Sequence, residues 1–231
     1  ANIMLVDRDE QALSSAMETL GTDHAAIALD ITKTGASDIA ITACMAQFGG
    51  VDILVSNAGA AWTGSIAELS DDDLRKSFEL NFFAHHAFAK STMAVLSEQG
   101  CGGQILFNVS KQAVNPGKNF GAYGLPKATT FFLLRQLALE LGEQGIRVNG
   151  VNADRIRSGL LDDKFISKRA GARGVSEKAY MAGNILRQEV EAKHVASAFL
   201  SLAMSPKLVK RLSLIPTCAF TRVWFFLANL S

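Results

Sequence analysis

Residues 104–141 read QILFNVSKQAVNPGKNFGAYGLPKATTFFLLRQLALEL, and this stretch decides the fold of the chain. Its apolar start predicts a strand over Gln104–Val109, its turn-rich centre predicts a loop, and its apolar end predicts a long helix. Ser110 follows the strand directly, and Tyr123 and Lys127 are four residues apart on the helix. Helical residues at this spacing lie on one face, one turn apart.

These three side chains suit proton exchange with an alcohol or carbonyl oxygen. A free tyrosine has a pKa of about 10, and we expect the ammonium of Lys127 to favour the phenolate and to lower that pKa. Ser110 can donate a hydrogen bond to a substrate oxygen as charge develops on it. A Tyr-x-x-x-Lys pair occurs by chance on many helices, so its meaning depends on its surroundings.

The surroundings supply further features in a fixed order along the chain. The set consists of Asn57-Ala58-Gly59, Asn81, Ser110, Tyr123 and Lys127. With these features, the chain from about Ile3 to Ala203 resembles the short-chain dehydrogenase/reductase family. The resemblance implies an α/β fold, a Rossmann-like doubly wound parallel sheet, in an NAD(P)-dependent oxidoreductase that interconverts an alcohol and a carbonyl.

The resemblance also implies a role for each of four catalytic residues. Tyr123 would exchange the proton, Ser110 would polarise the substrate oxygen, and Lys127 would lower the tyrosine pKa and bind the nicotinamide ribose. Asn81 would hold a water that relays protons to Lys127. From the residues alone, Asn81 fits equally a polar residue satisfied at a packing interface, because Asn is an indifferent helix former.

The cofactor prediction begins with an acid at the end of the first apolar segment. An acid at this place in a dinucleotide-binding unit hydrogen-bonds the adenosine ribose and disfavours a 2′-phosphate, so Asp7 favours NAD. Arg8, which follows it, leaves room for NADP. The resemblance places Asp30 and Ile31 at the adenine edge, although Asp30 also fits a turn or a helix N-cap. The full cofactor-binding set is Asp7, Asp30, Ile31, Asn57, Ala58, Gly59, Tyr123 and Lys127.

Both ends of the chain depart from the family pattern. We expect residues 1–204 to form an N-terminally truncated Rossmann domain, because no strand and no G-x-x-x-G-x-G turn precede Asp7. That turn would hold the cofactor pyrophosphate. The absent strand would be the central one, and its loss should leave unpaired strand edges. Residues 205–231 are predicted to form an atypical tail.

Composition limits the remaining function classes. The chain has 231 residues, enough for one α/β domain, and 23 Lys and Arg against 22 Asp and Glu. This balance favours neither nucleic acid nor an anionic membrane surface as a partner. Cys44, Cys101 and Cys218 lack metal-like spacing, which predicts reduced thiols in a cytoplasmic protein and no metal site. The apolar run 223–230 is too short to span a bilayer. The resemblance implies a homo-oligomer that packs through its two long helices.

A narrower resemblance is carried by the runs FNVSKQAVNPGKNFGAYGLPKA at 107–128 and VNGVNADRIRSGLL at 148–161. Both look like the dehydrogenase part of bifunctional rhamnulose-1-phosphate aldolase/alcohol dehydrogenases, which implies lactaldehyde as the substrate in rhamnose breakdown. One alternative is a 3-oxoacyl or sugar reductase, with Leu160–Tyr180 as the substrate lid. The other is a non-catalytic remnant that only associates with full-length relatives.

Overall fold

Parallel strands form one sheet at the centre of the computed structural model, which describes residues 1–158 and 161–205 and the backbone of 223–227. The strands are β1 (Asn2–Asp7), β2 (Ala25–Ala28), β3 (Ile53–Ser56), β4 (Gly103–Asn108), β5 (Ile146–Val151) and β6 (Val223–Leu227). Their order across the sheet is β2-β1-β6-β3-β4-β5, and each neighbouring pair is parallel. The predicted α/β fold with a doubly wound parallel sheet is therefore confirmed.

Helices cover the sheet and connect its strands. They are α1 (Glu10–Leu20), α2 (Ala36–Phe48), α3 (Asp71–Phe78), α4 (Ala84–Gln99), α5 (Gly121–Leu141), α6 (Asp163–Gly171), α7 (Glu177–Met181) and α8 (Ala192–Met204). The Ser70 side chain caps α3 by accepting a hydrogen bond from the Asp73 N–H, as the acidic first turn predicts. Between α3 and α4 the chain makes one π-helical turn, Glu79–Phe83.

Strand residues alternate between two apolar layers. Ile53 and Val55 of β3 face one side, where they pack with Phe199 of α8. Leu54 of β3 and Ile105 of β4 face the other side and belong to the larger core, which includes residues of α2, α4 and α5. Successive strand side chains point to opposite faces, and both faces are covered, which explains the uninterrupted apolar run of β3.

The gap predicted in the middle of the sheet is filled by a strand from the tail. The backbone of Phe225 in β6 pairs with Met4 of β1 on one side and with Leu54 of β3 on the other. The expectation of unpaired edges is therefore wrong for these strands, because β6 supplies donors and acceptors to both. The VWFFL sequence of β6 is β-branched and aromatic, as strands favour. It contains no glycine, so β6 replaces the pairing of a central strand and not a Gly-rich turn.

Helix α5 begins at Gly121, two residues before Tyr123, and contains Pro126. Proline is tolerated best in the first turn of a helix, and Pro126 lies just beyond that turn. The Ala122 carbonyl therefore loses the N–H partner that a residue at position 126 would supply. The helix continues because Leu137 and Leu141 anchor its far end in the core.

His24 also has a role that the sequence did not reveal. Its position just before β2 suggests an ordinary surface residue, but its Nδ1 accepts a hydrogen bond of 3.1 Å from the Ile3 N–H. This bond ties the start of β1 to the residue before β2.

No helix within the described residues is both long and apolar enough to cross a membrane.

Candidate active site

The four predicted catalytic residues meet beside the ends of β3 and β4. A Cβ added to Gly59 would lie 2.9 Å from Asn81 Oδ1 and 3.6 Å from Lys127 Nζ. Lys127 Nζ in turn lies 5.8 Å from the centre of the Tyr123 ring, and the Tyr123 hydroxyl is hydrogen-bonded to Ser110. The structure therefore brings together residues spread over 47 positions of sequence, from 81 to 127.

Lys127 is a buried cation. Only 2% of the residue is exposed, and its Nζ donates a hydrogen bond of 3.0 Å to the Asn108 carbonyl. Burial lowers the lysine pKa to about 8, because a charged ammonium is poorly solvated there. Near neutral pH the ammonium is still mostly protonated, so a positive charge lies beside the tyrosine.

The pKa of Tyr123 is shifted in the direction opposite to the sequence prediction. Burial raises its pKa above the ordinary value, and the hydrogen bond from Ser110 offsets this only in part. The expected lowering by Lys127 is not seen, because desolvation of the phenolate outweighs the other effects. The phenol is therefore protonated at neutral pH, which is the form that can give a proton to a carbonyl oxygen.

Asn81 is fully buried in the π-helical turn. Its Nδ2 donates to the Ala60 carbonyl at 2.9 Å and to Ser77 Oγ at 3.1 Å, and its main-chain oxygen accepts from Thr130 Oγ1 at 2.7 Å. Its Oδ1 has no hydrogen-bond partner among the described atoms. π-Helical turns are often found at functional sites. The packing interpretation accounts for the three bonds, and the open Oδ1 supports a water-holding role.

The Asn57-Ala58-Gly59 turn follows β3 directly. The Asn108 Nδ2 donates a hydrogen bond of 2.7 Å to Asn57 Oδ1, so this side chain ties the ends of β3 and β4 together. Gly59 packs so closely against Asn81 that an added Cβ would force the Asn81 side chain to shift, whereas the same Cβ would make an ordinary contact of 3.6 Å with Lys127 Nζ. The lack of a side chain is thus a requirement of the site's packing.

A cleft of about 720 Å³ opens at the carboxyl ends of β1, β2 and β3. In open parallel sheets, ligands bind outside the carboxyl ends of the strands. Of the predicted cofactor residues, those that line the cleft are Asp7, Asp30, Ile31, Ala58 and Gly59. Tyr123 and Lys127 do not line it, although Lys127 adjoins it through Gly59. Asn57 is not among the residues that line the cleft, and its side chain is instead hydrogen-bonded to Asn108 at the end of β4.

The two acids in this cleft have different surroundings. Asp7 is 7% exposed, and its Oδ1 accepts a hydrogen bond of 3.0 Å from the Asp9 N–H. Asp30 Oδ1 accepts from both the N–H and the hydroxyl of Thr32, which is the turn role left open by the sequence. Burial works to raise the Asp30 pKa, but the Thr32 bonds and the nearby Lys33 outweigh it, and the pKa is lowered. The carboxylate is therefore charged at neutral pH.

Several residues of the site escaped sequence reasoning. Trp62 lines the cleft from the loop after Gly59, and Arg75 and Lys76 line it from α3. The only signal was a helical one, because Asp72, Arg75 and Lys76 are spaced by three and four residues and so share a face. His85, assigned to packing or to the surface, is fully buried and hydrogen-bonded to Ser56.

The segment predicted to form a lid contacts the start of α5. Leu160 lies outside the described residues, and the rest contains α6 and α7. From α6, the Phe165 ring lies 6.1 Å from the Phe120 ring, and the Arg169 guanidinium lies 4.7 Å from it. Phe120 itself lies 6.5 Å from the Tyr123 ring. The lid segment is thus one aromatic ring away from the tyrosine.

No group of His, Cys, Asp and Glu within the described residues could hold a metal ion. Cys44 is a buried free thiol, and burial raises its pKa to about 12. A thiol with so high a pKa is a poor nucleophile at neutral pH. Cys218 and the basic residues at 207, 210 and 211 lie outside the described residues.

The sequence and the fold match known proteins. A family model described as Enoyl-(Acyl carrier protein) reductase matches residues 1–207. The protein is a member of the short-chain dehydrogenase/reductase family. This family consists of oxidoreductases that use NAD(P), so the predicted enzyme class and cofactor type are confirmed.

Individual relatives of this short-chain dehydrogenase/reductase differ in length. It is 30% identical over 186 residues to "Uncharacterized oxidoreductase YuxG" of Bacillus subtilis, with 78% of this chain and 27% of that protein covered. It is 33% identical over 156 residues to "Dehydrogenase/reductase SDR family member 4" of Caenorhabditis elegans, with 65% and 60% covered. The chain thus spans about a quarter of the length of the first relative and about three fifths of the length of the second.

Solved structures share the fold. The "3-ketoacyl-(acyl-carrier-protein) reductase from Brucella melitensis complexed with NADH" superposes with a TM-score of 0.78 at 20% identity. The match covers 98% of this chain and 96% of that one. At this identity the likeness supports the fold alone.

Proposed function

We propose that Asn81, Ser110, Tyr123 and Lys127 form the active site of an NAD(P)-dependent oxidoreductase that interconverts an alcohol and a carbonyl. The proposal rests on the contacts that join these four residues. Asn81 and Lys127 both lie beside Gly59. Lys127 lies near the Tyr123 ring, and the Tyr123 hydroxyl is hydrogen-bonded to Ser110. The cleft that begins at Gly59 fits a dinucleotide, because it follows the strand ends and has an acid at β1. The bound cofactor supplies the hydride chemistry.

In the reducing direction, each side chain of the site has a distinct task. Tyr123 Oη gives its proton to the carbonyl oxygen, while Ser110 Oγ donates a hydrogen bond to the same oxygen. The charge of Lys127 stabilises the phenolate that remains. Asn81 Oδ1, which has no hydrogen-bond partner among the described residues, accepts a hydrogen bond from a water that returns a proton to the site.

We infer a preference for NAD from Asp7. A carboxylate at the end of β1 accepts hydrogen bonds from a ribose diol but repels a 2′-phosphate. Asp7 lines the cleft with most of its surface buried, which supports this role. Arg8 also lines the cleft and keeps NADP open as the alternative.

We infer lactaldehyde as the narrower substrate from the two quoted runs, 107–128 and 148–161. The match covers only 27% of the Bacillus subtilis relative, so that protein is long enough to contain a second domain. Its length supports a bifunctional parent protein. The alternative substrates are 3-oxoacyl and sugar carbonyls, with α6 and α7 selecting among them. A cytoplasmic location stays a prediction.

We also propose that the protein is a homo-oligomer in which a second copy covers α5. Phe132 and Leu139 on this helix are 63% and 80% exposed, although α5 was expected to be buried all round. Phe83 and Leu125 are nearly half exposed. Large exposed apolar side chains on one helix favour an interface. Light scattering after gel filtration should give a mass of at least two chains.

The central experiment titrates the purified chain with NADH and NADPH and then assays lactaldehyde, a 3-oxoacyl thioester and a ketosugar. Saturable NADH binding excludes the non-catalytic alternative, and absence of binding to both cofactors overturns the proposal. We expect Tyr123→Phe to lower kcat by about 10²–10⁴-fold, the usual contribution of a general acid, with little change in the NADH dissociation constant. A Tyr123→Phe enzyme with unchanged kcat would contradict the assignment.

A further inference from the structure

His85 extends the polar face of the helix that carries Asn81. Ser77, Asn81 and His85 are spaced by four residues and run through α3, the π-helical turn and α4. All three are fully buried. The face that carries Asn81 therefore also carries a buried titratable side chain, His85, which the proposed mechanism does not use.

The imidazole makes one strong contact, at the end of β3. His85 Nδ1 and Ser56 Oγ are 2.5 Å apart in a fully buried hydrogen bond. His85 Nε2 has no hydrogen-bond partner among the described atoms, and the ring edge packs on Phe107 at 6.4 Å between ring centres. Ser56 is the last residue of β3 and immediately precedes the Asn57-Ala58-Gly59 turn.

The ring is neutral under ordinary conditions. Burial lowers the His85 pKa well below its usual value, and the charge of Lys127 lowers it further, while the nearby Ala58 main chain acts in the opposite direction. A neutral imidazole has one donor and one acceptor nitrogen. It can therefore hold Ser56 without placing a second positive charge beside Lys127.

Packing alone does not account for a histidine here. Burying an imidazole costs free energy that burying a phenylalanine or leucine would not. What the imidazole adds is a fixed link between α4 and the last residue of β3. The turn that follows β3 is where Gly59 meets Asn81 Oδ1 and Lys127 Nζ.

We propose that His85 is a positioning residue for the oxidoreductase reaction: through Ser56 it holds the Asn57-Ala58-Gly59 turn in register with Lys127 and the cofactor cleft. The inference rests on the proposed function, because that turn matters only if the four residues beside it are catalytic. His85 touches neither the substrate nor the reacting atoms, and it acts through the backbone of residues 56–59.

The test compares three variants with two matched controls. His85→Phe keeps the size of the ring without the hydrogen bond, Ser56→Ala removes the partner, and His85→Asn returns an amide close to the place of Nδ1. His86→Gln changes the exposed neighbour. Thr92→Val changes another fully buried polar residue of α4 that lies outside the site.

Two measurements are made on each variant. Amide NMR shifts and hydrogen exchange of residues 57–59 report the position of the turn, and steady-state kinetics separate kcat from the two KM values. We expect His85→Phe and Ser56→Ala to move the 57–59 amides and to lower kcat by about 10–100-fold, since small misplacements have effects of this size. His85→Asn should restore most of the wild-type kcat and of the wild-type amide signals of residues 57–59. The two controls should match the wild type in both measurements. The double variant His85→Phe/Ser56→Ala should have a kcat no lower than that of either single variant.

Opposite results overturn the inference in distinguishable ways. If His85→Phe leaves the 57–59 amides and kcat at wild-type values, or if the two single effects multiply in the double variant, His85 does not act through Ser56. If His85→Phe does not fold, Ser56→Ala and His85→Asn decide by the same measurements. If the wild-type chain binds no cofactor, the proposed function fails, while the NMR measurement still decides whether His85 positions the turn.

Discussion

The buried charge of Lys127 suits the role proposed for this residue, but it lowers the stability of the folded protein. A buried ammonium with one hydrogen bond, to the Asn108 carbonyl, is poorly solvated, and this lowers its pKa to about 8. Below that pH both the folded and the unfolded states carry the proton, so the folded state bears the full desolvation cost. In the proposed mechanism, the same charge stabilises the phenolate that Tyr123 leaves behind.

We therefore predict that Lys127→Met abolishes activity and raises the free energy of unfolding at pH 7. Removing the buried charge should stabilise the fold by on the order of 1–3 kcal/mol, less what the lost hydrogen bond contributed. Urea unfolding followed by circular dichroism measures the change. A variant less stable than wild type would show that the ammonium is better solvated than its burial indicates.

A second prediction at this scale concerns pH. His85 is neutral in the folded state, and its pKa lies well below the ordinary value because of burial and Lys127. In the unfolded chain the ring titrates at a pKa of about 6.5. As the pH falls below about 6.5, the unfolded state binds a proton that the folded state does not, so stability decreases. His85→Phe should flatten the dependence of stability on pH between about 6.5 and 5, while His86→Gln should leave the slope unchanged.

At the scale of elements, the site forms where two helical segments meet the turn that follows β3. The π-helical turn Glu79–Phe83 places Asn81 against the end of β3, and α5 brings Lys127 to the same point. The sequence could predict both helices, because their periodicity is local. It could not predict the π-helical turn, because a one-residue change in helical register leaves no clear mark in composition.

Gly59→Ala tests this close approach. The added Cβ would lie 2.9 Å from Asn81 Oδ1, so that side chain must move. We expect a loss of about 1–3 kcal/mol in stability, typical of overpacking, and a fall in kcat of about tenfold or more. Gly142→Ala is the control, because no atom lies within 4 Å of its added Cβ. Equal effects of both substitutions would show that the approach at Gly59 has no special role.

At the scale of the whole molecule, the sheet depends on a strand far away in sequence. β6 pairs with both β1 and β3, so among the described strands it is the one that joins the two halves of the sheet. A central parallel strand supplies hydrogen bonds on both sides. This arrangement makes Val223–Leu227 part of the sheet that carries the site.

We predict that Phe225→Pro destabilises the protein strongly. Proline removes an N–H from the middle of a central strand, at a cost on the order of 1–3 kcal/mol or more, whereas Phe225→Ile keeps the N–H and an apolar side chain. Deleting residues 206–231 should expose the edges of β1 and β3 and promote aggregation. Thermal unfolding and light scattering measure both effects. Wild-type stability in Phe225→Pro would contradict the placement of β6.

From the sequence alone came the strand and helix pattern around Ser110, Tyr123 and Lys127, and, through the family resemblance carried by these residues, the doubly wound parallel fold. The strand and helix pattern follows from local periodicity, and the grouping of Tyr123 with Lys127 follows from a spacing of four on one helix. Only the tertiary structure decided the raised pKa of Tyr123, the buried link between His85 and Ser56, and the insertion of β6 between β1 and β3. Each of these depends on desolvation or on pairing between segments far apart in the chain, and neither leaves a trace in local sequence.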